Sequence, residues 1–163
     1  MWFILPPMVQ PDTDSDGVRV PPPLIFLGFL ALGLWYDSPW FDGKLASIEA
    51  TIVGGIIATV GLALIIHSAA GHKSAGSNVA PWKPTTTIIS LGAYKYSRNP
   101  IYLGMVLAHG GVALCGGSMA AGITLALSIL IMKTYVIARE ERYLEAKFGE
   151  QYRTYKSQVR RWI

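Results

Sequence analysis

One tract of the chain combines charged and aromatic side chains with a proline, directly before a long uncharged run. It reads GAYKYSRNPIYLG over residues 92–104. Pro100 cannot donate a backbone hydrogen bond and suits the first turn of a helix, so an ordered loop should precede it and a helix should follow. Arg98 and Asn99 would then lie at the helix N-terminus, where free N–H groups and the helix dipole can hold an anionic group.

A pair of acidic residues, Glu140 and Glu141, follows the end of that uncharged region. As one straight helix, residues 101–132 would measure about 48 Å, against a hydrocarbon core of about 30 Å. We expect the run to turn back at residues 115–118, where two glycines permit a tight turn. The turn would bring the glutamates beside Arg98, Asn99 and Tyr102. Adjacent helical residues point about 100° apart, so only one glutamate should face the bundle squarely while the other meets the loop or water.

The composition is that of a small membrane protein. The chain has 163 residues, of which 52% are hydrophobic and only 15% are charged, and its mean hydropathy is +0.38. A soluble domain would carry about 25% charged residues. The single cysteine, Cys115, excludes an intramolecular disulfide. No GxGxxG motif follows a predicted strand, which argues against a Rossmann-type enzyme.

The apolar blocks predict an all-α integral membrane protein with about four transmembrane helices, at about 24–41, 49–70, 100–116 and 118–138. The first block is short enough to fit a re-entrant or interfacial helix as well, but Trp35, Tyr36 and Trp40 would form an interfacial belt that favours a span. We expect residues 1–23 to form an N-terminal cytosolic tail and residues 24–163 to form a single membrane domain.

Basic residues concentrate in the loop between the second and third spans and in residues 139–163. The positive-inside rule places both segments, and both termini, in the cytoplasm, so the basic pI requires no nucleic-acid partner. An apolar-aromatic stripe at spacings of three and four predicts an interfacial C-terminal helix, which Gly149 should divide. The stripe either folds over a site or lies on lipid, and it comprises Leu144, Phe148, Tyr152, Tyr155, Val159 and Trp162.

The tract LGAYKYSRNPIYLG, the hairpin and the sequence REERYLEAKFGEQYRTYKSQVRRWI together resemble the isoprenylcysteine carboxyl methyltransferase and phospholipid N-methyltransferase superfamily of integral membrane enzymes. The resemblance implies S-adenosylmethionine as the cofactor, and we expect a bacterial inner-membrane location. Asn99 stands where the superfamily usually has histidine, and asparagine cannot titrate near neutrality. By resemblance, Arg98, Glu140 and Glu141 are the expected catalytic residues, and the cofactor pocket comprises Leu91, Tyr94, Arg98, Asn99, Pro100, Tyr102, Gly104, Glu140 and Glu141.

These residue types suit the implied chemistry. Glutamates, aromatic faces and an arginine or helix N-terminus can hold a sulfonium, an adenosine and a carboxylate respectively. Methyl transfer is an in-line displacement that needs neither a metal nor a covalent intermediate. The acceptor should be lipophilic and enter from the membrane lipids: a lipid amine, a prenylated thiol or carboxylate, or a small hydrophobic metabolite. A protonated amine would need a base, for which Glu140 and Glu141 are the candidates.

Structural interpretations of the same residues stay open. Arg98 and Lys95 could be positive-inside anchors, and Glu140 and Glu141 could form a solvated helix end. The alternative function is a non-catalytic small membrane protein, such as a transporter subunit or a degenerate relative. His67, His72 and His109 lack metal-ligand spacing and are typical of interface or packing positions. Small residues typical of close helix packing are Gly54, Gly55, Gly61, Gly104 and Ala108.

Overall fold

The computed structural model describes residues 17–38, 46–74 and 85–163. Trp40, which the predicted aromatic belt included, lies outside these ranges, as does most of the predicted cytosolic tail. The described residues form helices and no strands, as the sequence predicts. The helices are α1 (Pro22–Tyr36), α2 (Ile48–Ser74), α3 (Pro100–Cys115), α4 (Met119–Ile131), α5 (Ala138–Phe148) and α6 (Glu150–Gln158), with a 3₁₀ turn at Gly92–Lys95.

Helix α1 is shorter than the predicted span at 24–41. Pro21 is its N-cap and Pro22 opens its first turn, whereas Tyr36 ends it after 15 residues. The Asp37 N–H donates to the Gly33 carbonyl at 3.1 Å. At 1.5 Å per residue the helix is about 22 Å long, which is less than the thickness of a bilayer core.

Helices α2 and α3 are in close backbone contact along a row of small residues. A Cβ atom built on Gly61 would lie 2.6 Å from the Gly104 carbonyl oxygen, and one built on Gly54 would lie 2.5 Å from that of Gly111. Larger side chains would therefore push the helices apart. Helix packing is confirmed for these positions, but Gly55 meets nothing within 4 Å, so its prediction as a packing residue is wrong.

The chain turns back between α3 and α4 where the sequence predicts. Gly117 adopts a φ of +61°, which favours glycine. Ser118 then caps α4 by accepting a hydrogen bond from the Ala121 N–H at 3.0 Å. Asp37, from the end of α1, accepts bonds from the Ser118 hydroxyl at 3.0 Å and from the Ala120 N–H at 2.6 Å.

Helix α4 continues through a π-helical stretch, Met132–Ile137, directly into α5. The predicted boundary between the fourth span and the C-terminal segment, near residue 138, thus lies inside one long helix. Gly149, with a φ of +54°, ends α5 and starts α6. The change of chain direction at Gly149 turns α6 back towards the bundle, and Tyr152 and Tyr155 of α6 are buried.

Within the described ranges, two helices are long and apolar enough to cross a membrane, Ile48–His72 and Met119–Phe148. Helices α1 and α3 are apolar but shorter. Large apolar side chains such as Ile56 and Ile66 on α2 and Ile123 on α4 are exposed, as expected of a lipid-facing surface. These features agree with a membrane protein, whereas four full spans remain a prediction.

Candidate active site

A cavity of about 300 Å³ lies where α3 begins, between the ends of α2 and α5 and the inner face of α6. Polar and aromatic side chains line one part of it and apolar side chains line another. The polar and aromatic part comprises His72, Thr85, Thr87, Tyr94, Arg98, Asn99, Tyr102, Glu140, Glu141, Tyr143, Tyr152 and Tyr155, and the apolar part comprises Pro22, Pro23, Ile88, Ile89, Ile101, Met105 and Leu144.

Glu141 is the centre of a buried cluster of charges. Its carboxylate receives two hydrogen bonds from the Arg161 guanidinium, from Nε to Oε1 at 2.9 Å and from Nη2 to Oε2 at 2.6 Å. The Nη1 atom of Arg98 lies 3.3 Å from Oε1 of the same carboxylate. The hydrogen bonds with Glu141 raise the pKa of Arg161. Glu141 thus balances two cations, one from the loop and one from the chain end.

The Arg98 side chain is only 10% exposed. Its Nε atom is buried and has no hydrogen-bond partner among the described residues. A buried donor without a partner costs about 1–3 kcal/mol. Because Arg98 also lines the cavity, its guanidinium is placed to meet an anionic group of a ligand bound there.

Residues 159–163, which we call the C-terminal strap, cross the loop that carries Arg98. The Arg98 N–H donates to the Arg160 carbonyl at 2.9 Å, and the Asn99 side-chain amide donates to the Arg161 carbonyl at 2.9 Å. Asn99 occupies the N-cap position of α3, but its side chain makes no capping hydrogen bond. The Arg161 carbonyl engages the amide instead, so Asn99 anchors the strap.

Glu140 faces another part of the cavity. Its Oε1 accepts a hydrogen bond from the Tyr102 hydroxyl, which comes from the first turn of α3. The two neighbouring glutamates therefore contact different elements: Glu140 contacts α3, and Glu141 contacts the loop and the strap. Both carboxylates line the cavity.

Three tyrosines form an aromatic wall. The Tyr155 hydroxyl donates to the Tyr94 carbonyl at 2.8 Å, which joins α6 to the 3₁₀ turn. Burial raises the pKa of both Tyr152 and Tyr155 to about 12, so both phenols remain neutral at physiological pH. Because Tyr152 and Tyr155 face the cavity, the stripe folds over the site in this structure and does not lie flat on lipid at these positions.

His72 contributes to the cavity from the end of α2. Its Nε2 atom lies 2.7 Å from the Tyr94 hydroxyl, and the two rings meet edge to face with centroids 5.2 Å apart. His109 is instead a buried packing residue, with Nε2 3.1 Å from the Ala121 carbonyl oxygen. Among the residues that the structure describes, no three His, Cys, Asp or Glu side chains are grouped to hold a metal ion.

The cavity wall includes six of the nine residues predicted for the cofactor pocket. Leu91 is absent from it because its side chain is 79% exposed. Pro100 is buried in the first turn of α3, and Gly104 faces Gly61 and Ile65 of α2 across the helix seam. The six that line the cavity are Tyr94, Arg98, Asn99, Tyr102, Glu140 and Glu141.

Sequence reasoning missed His72 and Arg161 as site residues. The sequence predicts an interface or packing position for His72, because no metal-ligand spacing surrounds it and its partner Tyr94 is distant in the sequence. The sequence predicts for Arg161 only a role among the basic residues that orient the chain. The reversal of the chain at Gly149 brings Arg161 back to Glu141, and this contact makes it part of the site.

The model of the phospholipid methyltransferase family matches residues 50–151. An uncharacterized protein of Haemophilus influenzae is 43% identical over 63 residues, which are 39% of this chain and all of that protein. Methanethiol S-methyltransferase 1 of Bradyrhizobium diazoefficiens is 34% identical over 58% of this chain and 30% of its own length. Cobalt-zinc-cadmium resistance protein CzcN of Cupriavidus metallidurans is 27% identical over 71% of this chain and 47% of its own. No solved structure matches.

Proposed function

Since the chain belongs to the phospholipid methyltransferase family, we propose that it transfers a methyl group from S-adenosylmethionine to a lipophilic acceptor. The buried Arg98 guanidinium carries the proposal, because Arg98 lines the cavity and its Nε donor has no hydrogen-bond partner among the described residues. An ordinary positive-inside anchor would place its guanidinium in water or among lipid headgroups.

The residues around the cavity fit the parts of this cofactor. Arg98 would hold its carboxylate, Glu140 would attract its positively charged end, and the rings of Tyr152 and Tyr155 would contact its adenosine. A cavity of about 300 Å³ is at the lower end of the ~300–1,000 Å³ range of small-molecule sites. Bound there, the cofactor would supply an electrophilic methyl group.

The protein's own contribution would be orientation and exclusion of water. Glu141 fixes the Arg98 guanidinium, and the C-terminal strap fixes the loop that carries it. Helix α6 covers the cavity with Tyr152 and Tyr155. Holding the attacking atom about 3–3.5 Å from the methyl carbon is the main requirement of an in-line displacement.

The apolar part of the cavity supports a lipophilic acceptor. Ile88, Ile89, Ile101 and Met105 form this wall together with the prolines at the start of α1. The curated relative from Bradyrhizobium is named for a small thiol acceptor, which adds a small thiol to the prenylated thiol among the candidates. The same wall would also contact the apolar part of a lipid amine or of a prenylated carboxylate.

We also propose that the cavity opens to the cytoplasm, with both termini on that side, because of the positive-inside rule. Single cysteines at Gln158 and Met119, introduced into a Cys115→Ser background, test this orientation. Both parent side chains are exposed and lie at opposite ends of the bundle. Gln158→Cys should react with an impermeant thiol reagent only from the cytoplasm and Met119→Cys only from the other side. Labelling of both from one side would contradict the hairpin.

A non-catalytic membrane protein is the alternative, and the similarity to the metal-resistance protein is the observation that favours it. Methyl transfer separates the two. Purified protein with methyl-labelled S-adenosylmethionine and a membrane lipid extract, or a small thiol, should yield a labelled product that mass spectrometry identifies. Arg153→Gln, which removes an exposed ion pair with Glu150, should be as active as the wild type. Absence of both product and cofactor binding in the wild type would support the alternative.

A further inference from the structure

The pair formed by His72 and Tyr94 joins two elements that are far apart in sequence. The 2.7 Å contact runs between Nε2 of His72 and the Tyr94 hydroxyl, and both side chains line the cavity. Tyr94 is held from its other side, because its carbonyl accepts the hydrogen bond from Tyr155. The phenol therefore has a fixed position between the cavity and an imidazole.

The surroundings of Tyr94 decide what the phenol can do with a proton. Burial, with smaller contributions from Tyr155 and Glu140, raises its pKa above the usual range. The phenol consequently stays protonated near neutral pH and cannot act as a base by itself. It can receive a proton only while it gives its own proton to a neighbour, and Nε2 of His72 is within hydrogen-bond distance.

The carboxylates of the cavity are less suited to accept a proton. Both oxygens of Glu141 are engaged by guanidinium groups, and Glu140 accepts the Tyr102 hydroxyl. A free glutamate titrates near pH 4.3 and a free histidine near pH 6.5, so an imidazole is the stronger base by about two pKa units. The other titratable or charged side chains on the cavity wall are Arg98, Tyr102, Tyr143, Tyr152 and Tyr155.

Resting on the proposed function, we propose that Tyr94 and His72 form a proton relay that serves a neutral thiol acceptor. The acceptor sulfur forms a bond to the methyl carbon, while the carbon–sulfur bond of the sulfonium breaks and leaves its electron pair on the donor sulfur. The thiol proton passes to the Tyr94 oxygen as Tyr94 gives its own proton to His72. The imidazolium returns this proton to solvent through Tyr94 after the methylated product has left, because Nδ1 of His72 is buried among the described residues.

This relay gives the site a titratable group that position 99 lacks. Asn99 cannot accept a proton near neutrality, and its amide is engaged by the Arg161 carbonyl. A carboxylate acceptor would carry no proton to lose and would gain nothing from His72. A thiol would gain from it, and one of the relatives is named for a thiol acceptor.

Two thiols of similar size and different acidity test the relay, with rates measured in single turnovers at saturating S-adenosylmethionine. Ethanethiol keeps its proton near neutral pH, whereas 2,2,2-trifluoroethanethiol is more acidic because of its fluorines. His72→Gln should slow transfer to ethanethiol at least about tenfold and transfer to the fluorinated thiol less than about threefold. The rise of the wild-type ethanethiol rate with pH through the neutral range should also disappear.

Tyr94→Phe is the second variant, because it keeps the ring and removes the hydroxyl. Like His72→Gln, Tyr94→Phe should slow transfer to ethanethiol much more than transfer to the fluorinated thiol. His67→Gln is the matched control on the same helix, since His67 is exposed and is absent from the cavity wall. It should transfer to both thiols at wild-type rates.

Equal losses with both thiols would overturn the relay and make His72 a packing residue. An acidity-dependent loss in Glu140→Gln with none in His72→Gln would assign the base to Glu140 and overturn it as well. A wild type that binds S-adenosylmethionine and methylates other acceptors but neither thiol would overturn the relay and leave the proposed function intact. A wild type that fails to bind S-adenosylmethionine would overturn both.

Discussion

The two ends of helix α3 hold their polar groups in different ways. Where α3 turns into α4, the Asp37 carboxylate accepts hydrogen bonds from the Ser118 hydroxyl and from the Ala120 N–H, which is a free donor in the first turn of α4. At the opposite end, Arg98 and Glu141 are buried beside a cavity, and a guanidinium donor there has no hydrogen-bond partner among the described residues.

This difference separates a structural cluster from a candidate binding site. A carboxylate that caps a helix stabilises the fold by satisfying backbone donors, and it needs no further partner. A buried donor beside a cavity costs free energy of folding unless a ligand accepts its hydrogen bond. The contacts of the two clusters, more than their residue types, predict which one binds a cofactor.

The largest expected effect comes from removing the shared anion of the cavity cluster. Glu141→Gln would leave Arg98 and Arg161 without their counter-charge, and loss of one partner of a buried ion pair costs about 3–5 kcal/mol. We expect the lower part of that range because the Arg161 side chain is 33% exposed. S-adenosylmethionine affinity should fall at least about tenfold, and the thermal unfolding midpoint in detergent should fall too.

Asp37→Ala is the matched change at the other end. It should lower the free energy of unfolding by about 1–2 kcal/mol through the lost cap, and with it the unfolding midpoint, and leave cofactor affinity unchanged. An equal loss of affinity in both variants, measured by calorimetric titration, would mean that the two ends do not differ in function.

The glycine row between α2 and α3 fixes the positions of both ends, and a single methyl group tests it. In Gly111→Ala the new Cβ would lie 2.4 Å from the Ala58 backbone nitrogen, so the helices must separate. This separation should lower the free energy of unfolding by about 1–3 kcal/mol. Gly55→Ala, on the open side of α2, meets nothing within 4 Å and should be neutral or stabilising. Equal unfolding midpoints for the two variants would contradict this packing.

A smaller effect is expected where the C-terminal strap meets the loop. Asn99→Ala removes the hydrogen bond to the Arg161 carbonyl, which is worth about 1 kcal/mol. Hydrogen–deuterium exchange should become faster in residues 159–163 and stay unchanged at the turn around Ser118. Unchanged exchange in the strap would show that Asn99 does not anchor it.

The features that depend on local chemistry could be predicted from the sequence. Pro100 marks the start of α3, and the glycines before Ser118 mark the turn, because both act through the backbone of their own segment. The approach of Glu140 and Glu141 to Arg98 followed from the hairpin alone. The extent of α1 was overestimated because Asp37 leaves the helix to cap α4, a contact with a distant segment.

The site contacts that the sequence does not predict are long-range ones. Arg161 resembles every other basic residue of the C-terminal region until the reversal at Gly149 brings it to Glu141. Asn99 has the residue type and position of an N-cap, but a carbonyl from the chain end engages its amide. No local pattern contains either contact.

Calorimetric titration of S-adenosylmethionine into the purified wild type and into Arg98→Ala tests the central claim most directly. The wild type should bind, and Arg98→Ala should bind at least about tenfold more weakly, equivalent to about 1.4 kcal/mol, while the exposed Arg153→Gln variant binds as the wild type does. Equal binding by the wild type and Arg98→Ala would contradict the claim that the cavity end of α3 holds the cofactor.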